Sequence, residues 1–302
     1  MPTFGILHDF RRPSGDGYVG YYAECLAEIA LADELGYDTV WLSEHHLTAD
    51  GLSPAPLVLA AAIAARTTHI RVGTSVLVLP LHQPLRAAEE AAAVDLLSGG
   101  RLVLGVGQGY AEHEFAAFGV PRHDRARLLE EGVAVLRAAL AGDSAMTPSP
   151  RRRVPLYVGG VTEAGLRRAV RLGDGVIIYC GTSADLLARR ALLDTIAPDT
   201  PLICTSVVHV AEDADRAWIE AGPGIAYLEG QINTYAGRAN TPVLRRADYL
   251  VGTPDEVAAR LADLAGELRF EHFAHWARLP GLSHEQAMAS LRLFASDVLP
   301  KV

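Results

Sequence analysis

The sequence is poor in lysine and in cysteine. Lys301 is the single lysine among 302 residues, and the formal charge is −9, so no basic face is available to follow a phosphate backbone and nucleic acid is not an expected partner. The three cysteines lie in apolar contexts without C-x-x-C spacing: Cys25, Cys180 and Cys204. This pattern favours small buried thiols in a reducing cytoplasm.

Long apolar runs are absent as well. No run approaches the roughly 18 residues that a membrane-spanning helix requires. The first residues, MPTFGILHDF, do not have a charged start followed by a long apolar stretch, which a secretory signal peptide needs. We therefore predict an untargeted, cytoplasmic chain without a membrane partner.

What the sequence does contain is a regular alternation of short β-rich apolar runs with longer amphipathic stretches. This order is typical of parallel βαβ units. Strands are predicted near Thr3–Leu7, Asp38–Leu42, Ile70–Val76, Leu102–Val106, Leu156–Val158, Gly175–Tyr179, Leu202–Val208 and Glu271–His275. Helices are predicted near Tyr21–Leu35, Pro54–Arg66, Leu85–Leu97, Arg125–Ala141, Glu163–Leu172, Ala184–Ile196, Glu212–Glu220, Pro254–Leu264 and His284–Val298. Eight parallel strands with covering helices predict an α/β (β/α)8 TIM barrel, a single domain over residues 1–302 with loop insertions at its C-terminal face.

The second predicted strand ends in a group of titratable residues. The stretch WLSEHHLTADG places Glu44, His45 and His46 directly after the apolar run TVWL, and the catalytic groups of such barrels gather at the carboxyl ends of the strands. An imidazole titrates near pH 6.5, so His45 is a candidate general acid or base that Glu44 would orient. Adjacent side chains diverge, and His46 is predicted to pack or to cap the loop. The H-E-x-x-H spacing of a zinc site is missing, and no metal is predicted.

Glycines follow the fourth and fifth predicted strands. Gly107 and Gly109 flank Gln108, and Gly159–Gly160 directly precedes a predicted helix. Open backbone N–H groups and the positive end of a helix dipole together suit a phosphate. The stretch GVGQGY lacks the full G-x-G-x-x-G pattern and follows a fourth strand instead of a first, so a Rossmann dinucleotide site is not predicted.

The same segments resemble the bacterial luciferase-like monooxygenase family. The similarity runs in order from the first strand to the last helix, and its clear blocks include GYDTVWLSEHHLTADG, PLYVGGVTEAGLRRAVRLGDG, VGTPDEVAARL and SLRLFASDVLP. The resemblance implies a barrel that binds reduced FMN, or the deazaflavin F420 in a large branch, at the carboxyl ends of its strands. Bacterial luciferase has the order Glu-His-His-x-Thr seen in Glu44, His45, His46 and Thr48, and its catalytic acid/base histidine falls on His45.

The resemblance also implies which residues hold the cofactor. Thr74 and Ser75 stand where the family has a non-prolyl cis peptide that faces the isoalloxazine ring. The predicted phosphate-binding residues are Gln108, Gly159, Gly160, Val161 and Thr162. Gln108 is a departure, because luciferase has an arginine there and a neutral amide cannot form the same charge-assisted bond. Arg125 or Arg127 is the predicted replacement, and the departure leaves FMN and F420 both open.

A small organic substrate is expected in the remaining mouth of the barrel. Aromatic and apolar walls suit such a substrate, and the predicted walls are His8, Phe10, Tyr110, Tyr179, Cys180 and Trp276. The segment Gly222–Pro242 is predicted to form a mobile lid over this pocket. Aldehydes, alkanes, terpenes and antibiotic intermediates are all compatible with these residues.

Three functions are compatible with the resemblance. The first is a monooxygenase in which reduced FMN, delivered by a separate flavin reductase, reacts with O2 to give a C4a-(hydro)peroxide while His45 manages a proton. The second is an F420-dependent oxidoreductase that transfers hydride, and the third is a flavin-binding protein without turnover. Glu44 and His45 favour an enzyme, because a pure binder does not require a titratable group beside the ring. The family commonly pairs through barrel helices, so a homodimer is implied.

Overall fold

The fold is a closed barrel of parallel strands covered by helices. The computed structural model describes residues 2–142, 145–179, 181–235, 237 and 244–302. The strands in this part of the chain are β1 Thr3–His8, β2 Thr39–Leu42, β3 Arg71–Thr74, β4 Leu77–Val78, β5 Leu102–Gly107, β6 Leu156–Gly159, β7 Gly175–Tyr179, β8 Leu202–Ser206, β9 Val208–Val210, β10 Leu250–Gly252 and β11 His272–Trp276. β9 and β10 pair with each other outside the barrel.

The other nine strands form the barrel, in which β3 and β4 together occupy one of eight positions, and the predicted TIM barrel is confirmed. β1 pairs in parallel with both β2 and β11. β3 pairs with β5 through Val72 and Leu102, and β4 continues along β5 through Leu77 and Val106. These contacts close the ring, so the carboxyl ends of all eight strands surround one mouth.

Helices cover the outside of the barrel. They are α1 Tyr18–Glu34, α2 Pro56–Ala64, α3 Pro84–Ser98, α4 Glu112–Ala117, α5 Arg125–Ala139, α6 Glu163–Leu172, α7 Ser183–Ile196, α8 Ala214–Tyr235, α9 Pro254–Leu268 and α10 His284–Leu293. A π-helical turn, Phe294–Val298, follows α10, and short 3-10 turns lie at Leu79–Leu81, Arg122–Asp124, Arg246–Asp248 and Leu299–Lys301. A search of the described residues finds no helix with the length and apolar character that crossing a bilayer requires.

Two predicted elements differ from the structure. The predicted strand Leu202–Val208 is divided into β8 and β9, which belong to different sheets. The predicted helix Glu212–Glu220 extends to Tyr235 despite Pro223. Packing overrides the local signal here, because Ile225 and Leu228 are buried beyond the proline.

Alternation along the strands separates two apolar layers. Leu7 and Trp41 belong to a buried cluster inside the barrel, whereas Ile6 and Leu42 belong to the cluster between the strands and the helices. Successive residues of a strand point to opposite faces. The same alternation determines which polar residues at the strand ends face the mouth and which face the helices.

Candidate active site

His45 and Glu114 form the central polar contact at the mouth of the barrel. The Nδ1 atom of His45 lies 2.7 Å from Glu114 Oε1, and the same oxygen accepts the backbone N–H of His46 at 2.9 Å. Glu114 is fully buried on α4. Because a carboxylate only accepts hydrogen bonds, Glu114 keeps the imidazole proton of His45 on Nδ1. The Nε2 atom is then the nitrogen that can exchange a proton with a ligand.

Two tyrosines lie on the open side of His45. The Tyr110 hydroxyl is 3.4 Å from His45 Nε2, and the centroid of the Tyr235 ring is 4.9 Å from that of the imidazole. Tyr110 is 37% exposed, so the Nε2 side of His45 borders the solvent-accessible part of the mouth. Burial and the charge of Asp50 raise the pKa of Tyr235 to about 12, so this tyrosine remains protonated at neutral pH.

Glu44 does not orient His45, and that prediction is wrong. Its Oε1 atom lies 3.0 Å from His46 Nε2 and 2.6 Å from His82 Nε2, and its Oε2 atom accepts the backbone N–H of Val78. Burial by itself would raise the pKa of Glu44, but these three donors lower it to about 2. Glu44 is therefore a charged, buried anchor on the far side of His46.

Alternation explains the different roles of the two acids. Trp41 faces the barrel interior and Leu42 faces the helices, so continued alternation carries Glu44 toward the helices and His45 toward the mouth. His46 packs against Phe118, with ring centroids 4.6 Å apart, as predicted for the second histidine.

A non-prolyl cis peptide is present one bond beyond the predicted pair Thr74 and Ser75. It joins Ser75 to Val76, and the Ser75 N–H donates to the Leu42 carbonyl at 2.7 Å. Two strand-end glycines make room for Val76: a Cβ atom at Gly107 would lie 2.4 Å from Val76 Cγ2, and one at Gly159 would lie 3.1 Å from Val76 Cγ1. The glycines that follow the fourth and fifth barrel strands are therefore required by packing at the mouth.

Thr74 contributes to the barrel through its hydroxyl. Its Oγ1 atom donates to the Gly105 carbonyl at 2.6 Å and accepts the Gly105 N–H at 3.1 Å. Both hydrogen bonds connect β3 to β5 next to the cis peptide. The Thr74 hydroxyl is thus engaged by the backbone, and Ser75 is the member of the predicted pair that lies in the cis peptide itself.

The Gln108 side chain contacts an arginine on α6. The Nη1 atom of Arg168, on α6, donates to Gln108 Oε1 at 3.1 Å, and Arg168 Nε donates to Glu130 at 3.0 Å. Burial and repulsion from Arg122 and Arg168 lower the pKa of Arg125, and Arg125 Nη1 donates to the Arg122 carbonyl at 2.9 Å. Among the residues that the structure describes, the buried Arg125 Nε atom has no hydrogen-bond partner.

Arg127 does not contact Gln108 or Arg168 in the part of the chain that the structure describes. It is exposed and pairs with Asp124 and Glu131 on the outer face of α5. Of the two predicted replacements for the missing arginine, Arg125 is the one with a buried guanidinium nitrogen, and Arg168, which contacts Gln108, is an additional cation that the sequence did not indicate.

The start of α6 has fewer open donors than predicted. The Gly160 N–H donates to the Ile177 carbonyl at 3.2 Å, and the Thr162 hydroxyl accepts the Gly165 N–H at 3.2 Å as the N-cap. A Cβ atom at Gly160 would lie 2.8 Å from the Gly165 backbone, so this glycine permits close packing and does not offer its N–H to a ligand. Val161 is 43% exposed beside it.

Tyr179 and Trp276, two of the predicted walls of the substrate pocket, contact each other at the carboxyl ends of β7 and β11, and their role in a pocket stays a prediction. Their ring centroids are 5.2 Å apart. Trp276 Nε1 donates to Asp9 Oδ2 at 3.0 Å, and Arg11 Nε donates to the same oxygen at 2.8 Å. These contacts fix the indole against the end of β1.

His8 and Phe10 are not walls of the mouth, and this part of the prediction is wrong. His8 Nε2 lies 2.8 Å from Glu28 Oε2 on α1, and Phe10 packs on Tyr22 of the same helix with centroids 5.0 Å apart. Both residues are at most 2% exposed. Because Leu7 points into the barrel, His8 must point toward α1.

The sequence model of one protein family, described as luciferase-like monooxygenase, matches residues 2–272 of this chain. The chain belongs to this family. Its members among the relatives are oxidoreductases, both monooxygenases and F420-dependent dehydrogenases.

Three luciferase-like relatives illustrate the range. The oxygenase component of flavin-dependent trigonelline monooxygenase from Acinetobacter baylyi is 25% identical over 92% of this chain and 89% of its own length. The F420-dependent glucose-6-phosphate dehydrogenase of Microbacterium testaceum is 28% identical over 90% and 91% of the two chains. The crystal structure of the monooxygenase RslO1 from Streptomyces bottropensis has a TM-score of 0.84 and 26% identity, covering 99% of each chain.

The predicted lid of this luciferase-like barrel is largely a helix. Most of Gly222–Pro242 continues α8 to Tyr235, where the Tyr227 hydroxyl donates to Asp50 at 3.0 Å. Residues 236 and 238–242 of that segment, and Cys180 of the predicted pocket, lie outside the described residues. Cys25 is a buried free thiol, as predicted, and Cys204 is buried as well.

A separate hollow of about 330 Å³ is bounded by Gly99, Gly100, Arg151 and Arg152. These residues precede β5 and β6, so the hollow lies at the amino end of the barrel, opposite His45. It contains none of the residues that luciferase-like chemistry would use.

Sequence reasoning missed Glu114 and Arg168. Glu114 lies three residues after buried Ala111 and directly before buried Phe115, so its place on the apolar face of the short segment AEHEFAAF was the available signal. Arg168 occurs in the run LRRAVRL, which has the ordinary pattern of a solvated helix face, and no local signal distinguishes it.

Proposed function

We propose that this protein is a flavin-dependent monooxygenase that uses reduced FMN and O2 to oxygenate a small organic substrate. The observation that carries the proposal is the geometry of His45. Its Nδ1 atom is held by a buried carboxylate at 2.7 Å, and its Nε2 side borders the mouth beside Tyr110. A histidine anchored in this way suits general acid–base catalysis.

The residues at the mouth fit a flavin phosphate. Gln108 directly after β5, Arg125 at the start of α5 and Arg168 on α6 supply amide and guanidinium donors, and the buried Arg125 Nε atom has no acceptor among the described residues. Donors of this type match the geometry and charge of a phosphate. The Ser75–Val76 cis peptide, with Gly107 and Gly159 packed against Val76, would help to hold the ring system.

Bound reduced FMN supplies the electrons with which O2 is activated. The protein supplies the surroundings. Glu114 keeps the His45 imidazole in one tautomer, so that Nε2 accepts or returns a proton at the mouth. Tyr179, Trp276 and Tyr235 surround the substrate space with aromatic surface, which excludes bulk water and suits an organic substrate. A separate flavin reductase would deliver the reduced cofactor, since a relative is named as an oxygenase component.

A second candidate is an F420-dependent oxidoreductase that transfers hydride without consuming O2. It is favoured by the relative from Microbacterium testaceum, which matches as much of the chain as the flavin-dependent one. The same His45 would then manage the proton that accompanies hydride transfer.

An anaerobic titration separates these functions. We expect reduced FMN to bind more tightly than oxidised FMN or F420, measured by absorbance and fluorescence, and O2 uptake to follow when a flavin reductase and NADH are supplied. Preferential binding of F420, with F420-dependent reduction of an acceptor and no O2 uptake, would replace the monooxygenase by the second candidate.

Glu114→Gln tests the positioning of His45. The amide no longer has a negative charge to stabilise the imidazolium, and we expect oxygenation to fall about 10- to 100-fold, by analogy with the loss of carboxylates that orient histidines. Nitrogen-15 NMR of labelled histidine should show a changed tautomer for His45. The matched control is Glu112→Gln, an exposed acid on the same helix, which should change neither the rate nor the tautomer.

A further inference from the structure

The contact between Gln108 and Arg168 determines what this part of the mouth presents to a ligand. A guanidinium only donates hydrogen bonds, so the Gln108 atom that lies 3.1 Å from Arg168 Nη1 must be the carbonyl oxygen. The NH2 group of the amide is then the part that remains for a ligand. Together the two side chains therefore offer only N–H donors, as an anion site requires.

The surrounding charge is positive although the whole chain is acidic. Arg125 Nη1 donates to the Arg122 carbonyl at 2.9 Å, and burial together with repulsion from Arg122 and Arg168 lowers the pKa of Arg125. Glu130 is the carboxylate that contacts Arg168, and it also pairs with Arg171 at 2.7 Å. In a chain of net charge −9, this local excess of cations would attract a compact anion.

Arg168 is held in place for such a role. Its side chain is 20% exposed, compared with 58% for Arg171. The Nε and Nη1 atoms are fixed by Glu130 and Gln108, and no other hydrogen bond of Arg168 is seen in the part of the chain that the structure describes. A guanidinium fixed at two atoms loses little entropy when the rest of the group binds a phosphate.

We infer that Arg168 is the principal cation for the cofactor phosphate in this protein. It supplies from α6 the positive charge that luciferase has at the position of Gln108, and Gln108 orients it. This inference rests on the proposed function, because it requires a cofactor that carries a phosphate. It adds a binding residue, from another helix, at the point where the sequence departs from the family pattern.

The test compares two ligands that differ only in the phosphate. Dissociation constants of FMN and riboflavin are measured by flavin fluorescence for the wild-type protein and for Arg168→Met. We expect the preference for FMN over riboflavin to fall roughly tenfold or more, because hydrogen bonds to charged groups are the strong ones, while riboflavin affinity is unchanged. The dependence of FMN binding on salt concentration should weaken in parallel.

Arg171→Met is the matched control. It removes an arginine of the same helix that pairs with the same Glu130, so it should leave the preference for FMN intact. In the Arg168→Met background, Gln108→Arg should restore at least part of the preference, because it returns a guanidinium to the site from β5. Arg168→Lys keeps the charge but not the contact geometry, and it should give an intermediate loss of the preference for FMN. If the Met variant does not fold, the Lys variant provides the test.

The outcomes distinguish this inference from the proposed function. A wild-type protein that binds neither flavin overturns the proposed function and the inference with it. A wild-type protein that prefers FMN, combined with an Arg168→Met variant that keeps the same preference, overturns the inference alone. Loss of riboflavin and FMN binding together in Arg168→Lys would assign Arg168 a structural role and would also overturn it.

Discussion

His45→Asn is expected to slow the reaction of the bound reduced flavin with O2 by about 100-fold or more, since a positioned general acid or base contributes on the order of 10²- to 10⁴-fold. Asparagine keeps a polar group near Glu114 but cannot exchange a proton near neutral pH. The rate is measured in a stopped-flow instrument as the return of oxidised flavin absorbance. The affinity for FMN should remain within about twofold.

Two controls make this result specific to the imidazole. His123→Asn changes a histidine that is 85% exposed outside the mouth, and it should leave the rate unchanged. His45→Gly should regain part of its activity when imidazole is added, because a small base can occupy the space beside Glu114. A full rate in His45→Asn would remove His45 from the mechanism.

The barrel was predictable because its information is local and repeated. Each strand is a short apolar run, each helix is a longer amphipathic one, and eight repetitions of this order leave few alternatives. The boundaries of Gly175–Tyr179 and Glu163–Leu172 were predicted to the residue. Even the long α8 was predicted near its start and missed only beyond Glu220, where burial of Ile225 and Leu228 decides the structure.

The partners of the site residues were less predictable because they come from distant parts of the chain. His45 could be proposed from its place after β2, but its carboxylate is 69 residues away, and the adjacent Glu44 was the natural but incorrect choice. Gln108 was recognised as a departure, yet the arginine that contacts it is 60 residues further along. Such pairings depend on how neighbouring βα units pack, which periodicity does not specify.

His8 shows a different source of error. Its position at the end of β1 was predicted correctly, and the error concerned only the direction of the side chain. Counting alternation from the interior residue Leu7 would have assigned His8 to the helix side, where it contacts Glu28. At the ends of short strands the parity of a residue therefore matters as much as its position.

Glu44→Gln is expected to destabilise the fold by about 3 kcal/mol at pH 5 to 6. Folding lowers the pKa of this buried acid from 4.5 to about 2, and one pKa unit corresponds to roughly 1.4 kcal/mol. The variant keeps the shape of the side chain but loses the negative charge that His46, His82 and the Val78 N–H stabilise. The measurement is the free energy of unfolding from urea titrations of both proteins.

The dependence on pH follows from the direction of each shift. The contribution of Glu44 is present above its ordinary pKa of 4.5 and is lost as the pH falls toward 2. Burial opposes the charge of His82, but Glu44 raises its pKa above 6.5, so that contribution is present below pH 6.5 and is lost as the pH rises through the raised value. The difference between wild type and variant should therefore be greatest between pH 4.5 and 6.5 and smaller on both sides.

The matched control is Glu89→Gln, an acid on α3 that is 51% exposed. It should change the free energy of unfolding by less than about 0.5 kcal/mol at every pH, as exposed substitutions usually do. A difference between wild type and Glu44→Gln that stays constant from pH 2.5 to 8 would contradict the assignment of Glu44 as a charged anchor. It would mean that the carboxyl group acts in the fold through its shape alone.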